Sequence, residues 1–431
     1  MPDAPEIFGM PAEKGRWGLV ALGLLINLCL GSIYSWSVFV SPLAAYFTAT
    51  LGREVTAGGG LLPFSVFLAF FAVAMPLTGK YIERYGPRRV TIVGGLLTGL
   101  GWLLASTATS VEALYVVYGV IGGLGVGIAY GVPVAVATRW FPDRRGLAVG
   151  LTLLGFGFSA FVTANAAGAL IAAYGVMATF RVFGAALIAV LVLAALPLRF
   201  PPGGWRPKGW SPPPPGVGTA PISECDRRAM LRTGAFYGLF ACYFIGCLAG
   251  LAAISIAKPV GTEVAGVEAG LATVLVGFFA VFNGIGRPAF GSLADRITPQ
   301  KAAMLTFVLI AAASVLMWLV PGVPAYVLAF AVLWGCLGGW LAIAPTATAS
   351  YFGTCDYPRC YGVVFLAYGA GAIAGPQVAG FVRTATGTYL GVFPLVAALA
   401  AVGFVAAWLL MRPPAAAPVR EENGRGITPS R

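Results

Sequence analysis

The residue best placed to do chemistry in this sequence is Arg287. It lies in Gly270–Leu293, a run of 24 residues whose only other strongly polar side chain is Asn283. Such a run is long enough to cross a bilayer core about 30 Å thick. Asp295 marks the membrane edge, so at about 1.5 Å per residue Arg287 lies about 12 Å inside it. A guanidinium there stays protonated and costs about 2.5 kcal/mol or more to insert, which predicts an anion-binding site facing a cavity.

The rest of the chain offers little that could neutralise this cation structurally. All 15 acidic residues fall outside the interiors of the predicted spans, and there is no histidine. A buried proton relay normally needs Asp, Glu or His, so none is expected at depth. The lack of histidine also excludes a His/Cys zinc site, and we expect the 7 cysteines to be small apolar fillers. We therefore expect no metal and no cofactor, and no membrane enzyme.

The elements that must position Arg287 are membrane helices. The mean hydropathy is +0.87, 59% of residues are hydrophobic and 10% are charged, far from soluble composition. No cleavable signal peptide is expected, because the first apolar run is too long. The fold class is an all-α membrane protein, and we predict helices over Trp17–Phe47, Gly59–Tyr81, Val90–Thr107, Glu112–Arg139, Gly146–Tyr174, Thr179–Leu198, Leu231–Ala257, Gly266–Leu293, Ala302–Val320, Val323–Phe352, Tyr361–Arg383 and Thr388–Met411.

The basic residues predict the orientation of these helices. Of the 27 Lys and Arg residues, 22 lie in the termini and the even-numbered connections. The positive-inside rule then places both termini in the cytoplasm of a multi-pass protein of the plasma or inner membrane. The net charge of +12 is explained by loops beside anionic lipid, so no nucleic-acid partner is expected.

The chain also divides into two similar halves. Pro201–Asp226 is rich in proline and charge and reads as a linker. It predicts a cytoplasmic N-terminus (1–16), a six-helix bundle (17–198), a linker region (199–230), a second bundle (231–411) and a tail (412–431). Gly79 and Gly291 begin similar acid–Arg turns 212 residues apart (291 − 79 = 212). Duplicated halves predict a pseudo-twofold carrier with its site at the midplane between them.

The turn that begins at Gly79 resembles a known motif. Gly79-Lys-Tyr-Ile-Glu-Arg-Tyr-Gly-Pro-Arg-Arg89 is similar to the loop motif of the major facilitator superfamily, with Glu83 in place of the usual Asp. In the second copy, Gly291-Ser-Leu-Ala-Asp-Arg296, Thr298 and Gln300 replace the expected Gly and basic residue. The resemblance implies gating roles, in which acids at helix ends hold one conformation, for Gly79, Glu83, Arg84, Arg88, Asp295 and Arg296.

A narrower resemblance covers most of the chain. The segments that begin at Asn27, Arg139 and Asn283 are similar to the oxalate/formate antiporter and monocarboxylate transporter branch. Members carry small carboxylates, and the resemblance implies that Arg287 binds the carboxylate. Oxalate carriers are expected to have a Lys in the eleventh helix, where this chain has none. Animal-type members are expected to have an Asp where this chain has Asn283.

Depth in the membrane suggests the other residues of the site. Asn283 lies one helical turn from Arg287, and several side chains lie about 13–18 Å from the cytoplasmic face, level with Arg287. The aromatic ones have an alternative explanation, which is packing between helices. The candidate substrate-binding residues are Arg287, Asn283, Tyr130, Tyr34, Tyr368, Trp340, Leu154 and Phe365.

Together with the buried cation and the two halves, the resemblance implies a monomeric secondary transporter of small monocarboxylates such as lactate or pyruvate. It would work by alternating access, as a proton symporter or an anion exchanger. An oxalate/formate-type dicarboxylate antiporter is the main alternative, followed by a drug or sugar carrier. A carboxylate sensor and a pore are the other possibilities. The partners expected are a carboxylate anion, protons and the lipid bilayer.

Overall fold

The helices of the chain follow the predicted series of spans. The computed structural model describes residues 6–51, 62–211, 227–354 and 356–413. Within these residues, 11 helices are long and apolar enough to cross a membrane. One of them, Leu62–Ala105, joins two predicted spans and is broken by non-helical backbone at Gly86 (φ 79°, ψ 166°). Counting its two parts separately gives the twelve predicted spans, which we number 1 to 12.

The first half of the chain contains spans 1 to 6. A short hairpin of strands Glu6–Ile7 and Met10–Pro11 precedes span 1. Span 1 has three helical parts in sequence, and span 4 contains a π-helical stretch. The bounds are Ala12–Leu30, Gly31–Ser35 and Trp36–Leu51 (span 1), Leu62–Ala105 (spans 2 and 3), Val111–Leu114, Tyr115–Gly122 and Gly123–Trp140 (span 4), Arg145–Tyr174 (span 5) and Val176–Ala195 (span 6).

The second half contains spans 7 to 12. A four-residue helix, Arg227–Met230, precedes span 7. The bounds are Gly234–Pro259 and Val260–Val264 (span 7), Ala269–Ile297 (span 8), Pro299–Leu319 (span 9), Val323–Phe352 (span 10), Tyr357–Thr386 (span 11) and Val392–Leu410 (span 12).

The connection between spans 2 and 3 is much shorter than the sequence suggested. The predicted helices ended at Tyr81 and resumed at Val90, which left residues 82–89 as a loop, but helix continues on both sides of Gly86. A glycine tolerates the positive φ that turns the chain there, and Pro87 suits the start of the next helix. Span 9 likewise begins earlier than predicted, at Pro299, because the Thr298 side chain caps it by accepting the Lys301 N–H.

The linker prediction is only partly covered by the described residues. Residues 212–226 and 414–431 lie outside them, as do residues 1–5. The described part of the linker lies against the first half: Trp205 packs on Trp140 with ring centroids 4.8 Å apart, and the Lys208 N–H donates to Glu13. The cysteines that are described are all buried, as small fillers would be: Cys29, Cys242, Cys247, Cys336 and Cys360. Cys225 and Cys355 lie outside the described residues.

Among the described residues, two helix crossings make most of the contact between the halves. Span 5 packs along span 8, and span 2 packs along span 11. Both crossings are close because glycines face backbone: a Cβ on Gly150 would lie 2.5 Å from Arg287 O, and one on Gly362 would lie 2.6 Å from Met75 O. Small residues allow such close helix packing in membranes. The span 5–8 crossing contains Arg287.

Candidate anion-binding site between the two halves

Arg287 lies in span 8, fully buried, and points at the backbone of span 5. Its Nη1 donates to the Leu153 carbonyl at 2.7 Å and its Nη2 to Asn283 Oδ1 at 3.2 Å, while Nε has no hydrogen-bond partner. No acidic side chain forms an ion pair with it among the described residues. Both of its partners are neutral, so the positive charge is uncompensated and an anion would stabilise it.

Asn283 holds the guanidinium in place. It lies one turn before Arg287 on the same face of span 8 and is itself buried. Its amide donates to the Trp334 carbonyl at 3.1 Å, which fixes its oxygen toward Arg287. The amide group therefore anchors the cation to span 10.

Glycines of span 5 leave the room that the guanidinium occupies. A Cβ on Gly157 would lie 2.9 Å from Arg287 Nε and 3.2 Å from its Cζ. The Phe156 ring lies under the guanidinium, with Cζ 5.7 Å from its centroid, within the range of a cation–π interaction. Arg287 thus lies between the halves. The residue itself and Asn283 belong to the second half, whereas Leu153 and Phe156 belong to the first.

A cluster of aromatic rings adjoins Phe156. Tyr34 packs edge-on against Phe156 at 5.0 Å, and its hydroxyl lies 2.7 Å from that of Tyr368 across the halves. Tyr130 and Phe365 lie 5.2 Å apart, and both contact Phe71. Predicted site residues that belong to this aromatic cluster are Tyr34, Tyr130, Phe365 and Tyr368.

Trp340 and Leu154 are placed differently. The Trp340 indole packs on Tyr243 and Phe307 within the second half, at 6.2 and 5.2 Å. The face of span 10 toward span 8 carries Gly338, which contacts the Asn283 backbone. Trp340 therefore points away from the span 8 crossing, and its placement favours packing. Leu154 is half-buried and faces Gly284 of span 8.

Polar contacts close the bundle at the end that holds the connections after spans 2, 4, 8 and 10, which we call the basic end. The Asp295 carboxylate accepts the Gly146 N–H at 2.7 Å and the Leu147 N–H at 2.9 Å. Both N–H groups belong to the first turn of span 5, where N–H groups have no partner within the helix and negative charge is stabilised. Arg145 Nη1 also reaches the Ala349 carbonyl at 3.4 Å.

The first copy of the motif makes a different contact. Glu83 accepts from Arg139 at 2.7 Å within the first half, and Arg139 also donates to the Thr354 carbonyl at 3.0 Å in the second half. Gly79 lies against the backbone of Arg359 at the start of span 11. Arg84, Arg88 and Arg296 are exposed. Contact between the halves therefore involves Gly79, Asp295 and, through Arg139, Glu83.

Sequence reasoning missed three residues of this arrangement. Phe71 and Phe156 are apolar, so nothing in their type marks them as site residues. The repeat could have found them, because Phe71 is 212 residues before Asn283 and Phe156 is 212 before Tyr368. Arg139 begins one of the segments that carry the family resemblance, but the sequence does not show that its side chain contacts Glu83 and Thr354.

Twelve membrane helices in two halves, with a buried cation between them, define a membrane carrier. The sequence profile of the Major Facilitator Superfamily matches residues 20–353 and 239–430. The chain belongs to this superfamily and is a multi-pass membrane transporter.

Similar proteins agree with the branch indicated by the motifs. The chain is 28% identical to the oxalate:formate antiporter of Oxalobacter formigenes over 86% of its length and 85% of that protein's. It is 27% identical to monocarboxylate transporter 13 of Bos taurus over 90% and 88%. Among solved structures, the transporter FucP in the outward conformation aligns with a TM-score of 0.68 at 18% identity, covering 90% of this chain and 98% of that one. The resemblance to the oxalate/formate and monocarboxylate branch is thus confirmed.

Proposed function

We propose that this protein carries small monocarboxylates, such as lactate or pyruvate, across the membrane by alternating access. The observation that carries the proposal is Arg287, a fully buried cation between the halves without an acidic partner among the described residues. A permanent cation in a membrane interior marks a substrate or ion path. The orientation predicted from the basic residues makes the basic end cytoplasmic.

The surroundings of Arg287 suit a short carboxylate. Its Nε is free, and the Leu153 carbonyl is a neutral acceptor that a carboxylate can displace in a bidentate, charge-assisted pair. Asn283 keeps the guanidinium oriented. The aromatic cluster around Tyr34 and Tyr368 offers two hydroxyl groups and an apolar wall. A small acid with one charged end and a short apolar body matches this pattern.

The same charge suggests how substrate drives the cycle. In the empty carrier Arg287 must be desolvated with only neutral partners whenever both sides close, which costs free energy. A bound carboxylate neutralises the cation and lowers that cost. Movement between states then requires the contacts of Asp295 and Arg139 at the basic end to break. Because no acid lies in the span interiors, we expect exchange of anions to be faster than net uptake.

A dicarboxylate antiporter of the oxalate/formate type is the second candidate. It is supported by similarity to the oxalate:formate antiporter along most of both chains. Against it, the part of span 11 beside the site reads Phe365-Leu-Ala-Tyr-Gly-Ala-Gly371 and contains no lysine. One guanidinium balances one negative charge, so we rank a monocarboxylate first.

The test is uptake of labelled L-lactate into proteoliposomes that contain lactate, formate or no anion, with neutral or acidic medium outside. We expect uptake to need internal anion, and Arg287→Gln to lower it at least about 100-fold, since a charge-assisted pair in a dry site contributes about 3 kcal/mol. The control is Arg383→Gln, because Arg383 pairs with Glu263 at an exposed position at the opposite end.

The other outcomes are equally informative. Uptake into empty vesicles driven by acid outside would show proton symport. Oxalate uptake with no lactate uptake would replace our proposal by the second candidate. Normal transport of lactate by Arg287→Gln would refute the role of Arg287.

A further inference from the structure

A polar cavity lies at the basic end, and Arg287 is not among its lining residues. Its volume is about 350 Å³, within the range of small-ligand sites. It lies where three elements meet: the end of span 2, the short helix Arg227–Met230 and the start of span 11. The residues that line it are Pro76, Leu77, Lys80, Arg227, Arg228, Asp356 and Arg359.

The lining carries a strong excess of positive charge. Four of its residues are basic and one, Asp356, is acidic. Asp356 is already engaged: Arg359 Nε lies 3.3 Å from one of its oxygens, and the Arg227 N–H donates to the other at 3.0 Å. Since one acid balances one cation, the cavity keeps an excess of three positive charges, a strong attraction for a phosphate group.

The flank of span 2 beside this cavity is apolar and exposed. Val73, Leu77 and Tyr81 follow one another at four-residue spacing, and their exposed fractions are 53%, 61% and 44%. Residues four apart lie on one face of a helix, so they form a ridge, and Leu77 is part of both ridge and cavity. The Lys80 ammonium lies 4.8 Å from the centre of the Tyr81 ring. Lys80 thus stands where the apolar ridge meets the basic cavity.

We propose that this cavity binds the phosphate of an anionic phospholipid headgroup, with an acyl chain along the ridge of Val73 and Leu77. The shared chemistry is that of a phosphate anion, and the ridge favours a lipid over a free phosphate. Lys80 belongs to the first half, whereas Arg227, Arg228 and Arg359 belong to the second. A headgroup held by both halves stabilises the state in which the basic end is closed.

The experiment is native mass spectrometry of the full-length protein with equal amounts of phosphatidylglycerol and phosphatidylcholine. We expect the protein to retain phosphatidylglycerol preferentially. Lys80→Gln with Arg228→Gln should reduce that preference by about 25-fold, taking about fivefold for each cation near a lipid phosphate. The matched control is Arg89→Gln with Arg232→Gln, which removes the same charge from exposed positions outside the cavity.

Two results would overturn the proposal. One is an equal loss of preference in both double variants, which would mean that only the general charge of this end attracts lipid. The other comes from calorimetric titration of lipid-free protein with inorganic phosphate. Phosphate binding that depends on Lys80 and Arg228, without competition from phosphatidylglycerol, would assign the cavity to a soluble anion.

Discussion

The span 5–8 and span 2–11 crossings share one backbone contact, but their side chains differ in chemistry. At offset 212, Gly150 corresponds to Gly362 and Pro288 to Pro76. Each glycine packs on the equivalent proline and the residue before it. At the span 5–8 crossing that preceding residue is Arg287, and at the span 2–11 crossing it is Met75.

The neighbouring positions differ in the same way. Asn283, which anchors Arg287, corresponds to Phe71, and Leu153, whose carbonyl accepts from Arg287, corresponds to Phe365. Phe71 and Phe365 pack together with centroids 5.2 Å apart. One crossing therefore holds a polar, charged centre and the other an apolar, aromatic one. Duplication supplies two crossings with a similar close contact between a glycine and backbone, and we infer that only one of them became the anion site.

The largest expected difference between the two crossings is the effect on lactate transport of replacing the close glycine of each with alanine. Gly150→Ala and Gly362→Ala place Cβ atoms 2.5 and 2.6 Å from backbone oxygen atoms, so both force the helices apart. Only Gly150→Ala moves Arg287, and a misplacement of about 1 Å at a site costs about 100-fold. We expect its half-saturation concentration for lactate to rise by that factor. Gly362→Ala should lower the maximal rate with little change in half-saturation.

The matched controls lie in the same two helices. A Cβ on Gly168 of span 5 or on Gly380 of span 11 would meet no atom within 4 Å. Gly168→Ala and Gly380→Ala should transport like the unchanged protein in the same vesicles. Equal changes of half-saturation in Gly150→Ala and Gly362→Ala would mean that the crossings are functionally equivalent.

The two acids at the basic end give a smaller contrast. Asp295 binds the N-terminus of span 5 across the halves, whereas Glu83 pairs with Arg139 inside the first half. Asp295→Asn removes a charge–helix contact worth about 1–2 kcal/mol, which should reduce the population closed at this end by about tenfold. Glu83→Gln should have less effect, because Arg139 keeps its bond to the Thr354 carbonyl.

Spin labels can measure this difference directly. Arg144 and Lys301 are exposed at the basic end, one on each half. Spin labels on cysteines at these two positions would report its opening as a longer distance between the labels, measured by double electron–electron resonance. A longer distance in Asp295→Asn than in Glu83→Gln is expected. The reverse order would show that the first copy of the motif dominates the closed state.

The sequence predicted the membrane helices well, since they depend on hydropathy along the chain. Side-chain direction could not be predicted in this way, because depth does not determine rotation about a helix axis. Trp340 has the right depth yet packs on Tyr243 and Phe307, while Gly338 takes the face toward span 8. Glycine positions were the better guide to the inward faces.

Contacts between residues far apart in the sequence could not be predicted from local sequence patterns. The resemblance implied a gating role for Glu83 without identifying its partner, which is Arg139, 56 residues away. The offset of 212 nevertheless carried unused information, because it maps Asn283 onto Phe71 and Tyr368 onto Phe156. Applying the repeat to every site residue would have completed the aromatic cluster.

The smallest expected effect concerns the hydroxyl groups of Tyr34 and Tyr368, which join the two crossings at 2.7 Å. A neutral hydrogen bond contributes about 1 kcal/mol, so Tyr34→Phe and Tyr368→Phe should each change lactate half-saturation by about fivefold. Because both single variants lose the same hydrogen bond, the double variant should change the half-saturation concentration for lactate no further than either single variant. Tyr46→Phe, at an exposed position on span 1, is the control. Additive losses in uptake assays would instead mean that each hydroxyl contacts substrate independently, and the aromatic crossing would then be part of the binding site in its own right.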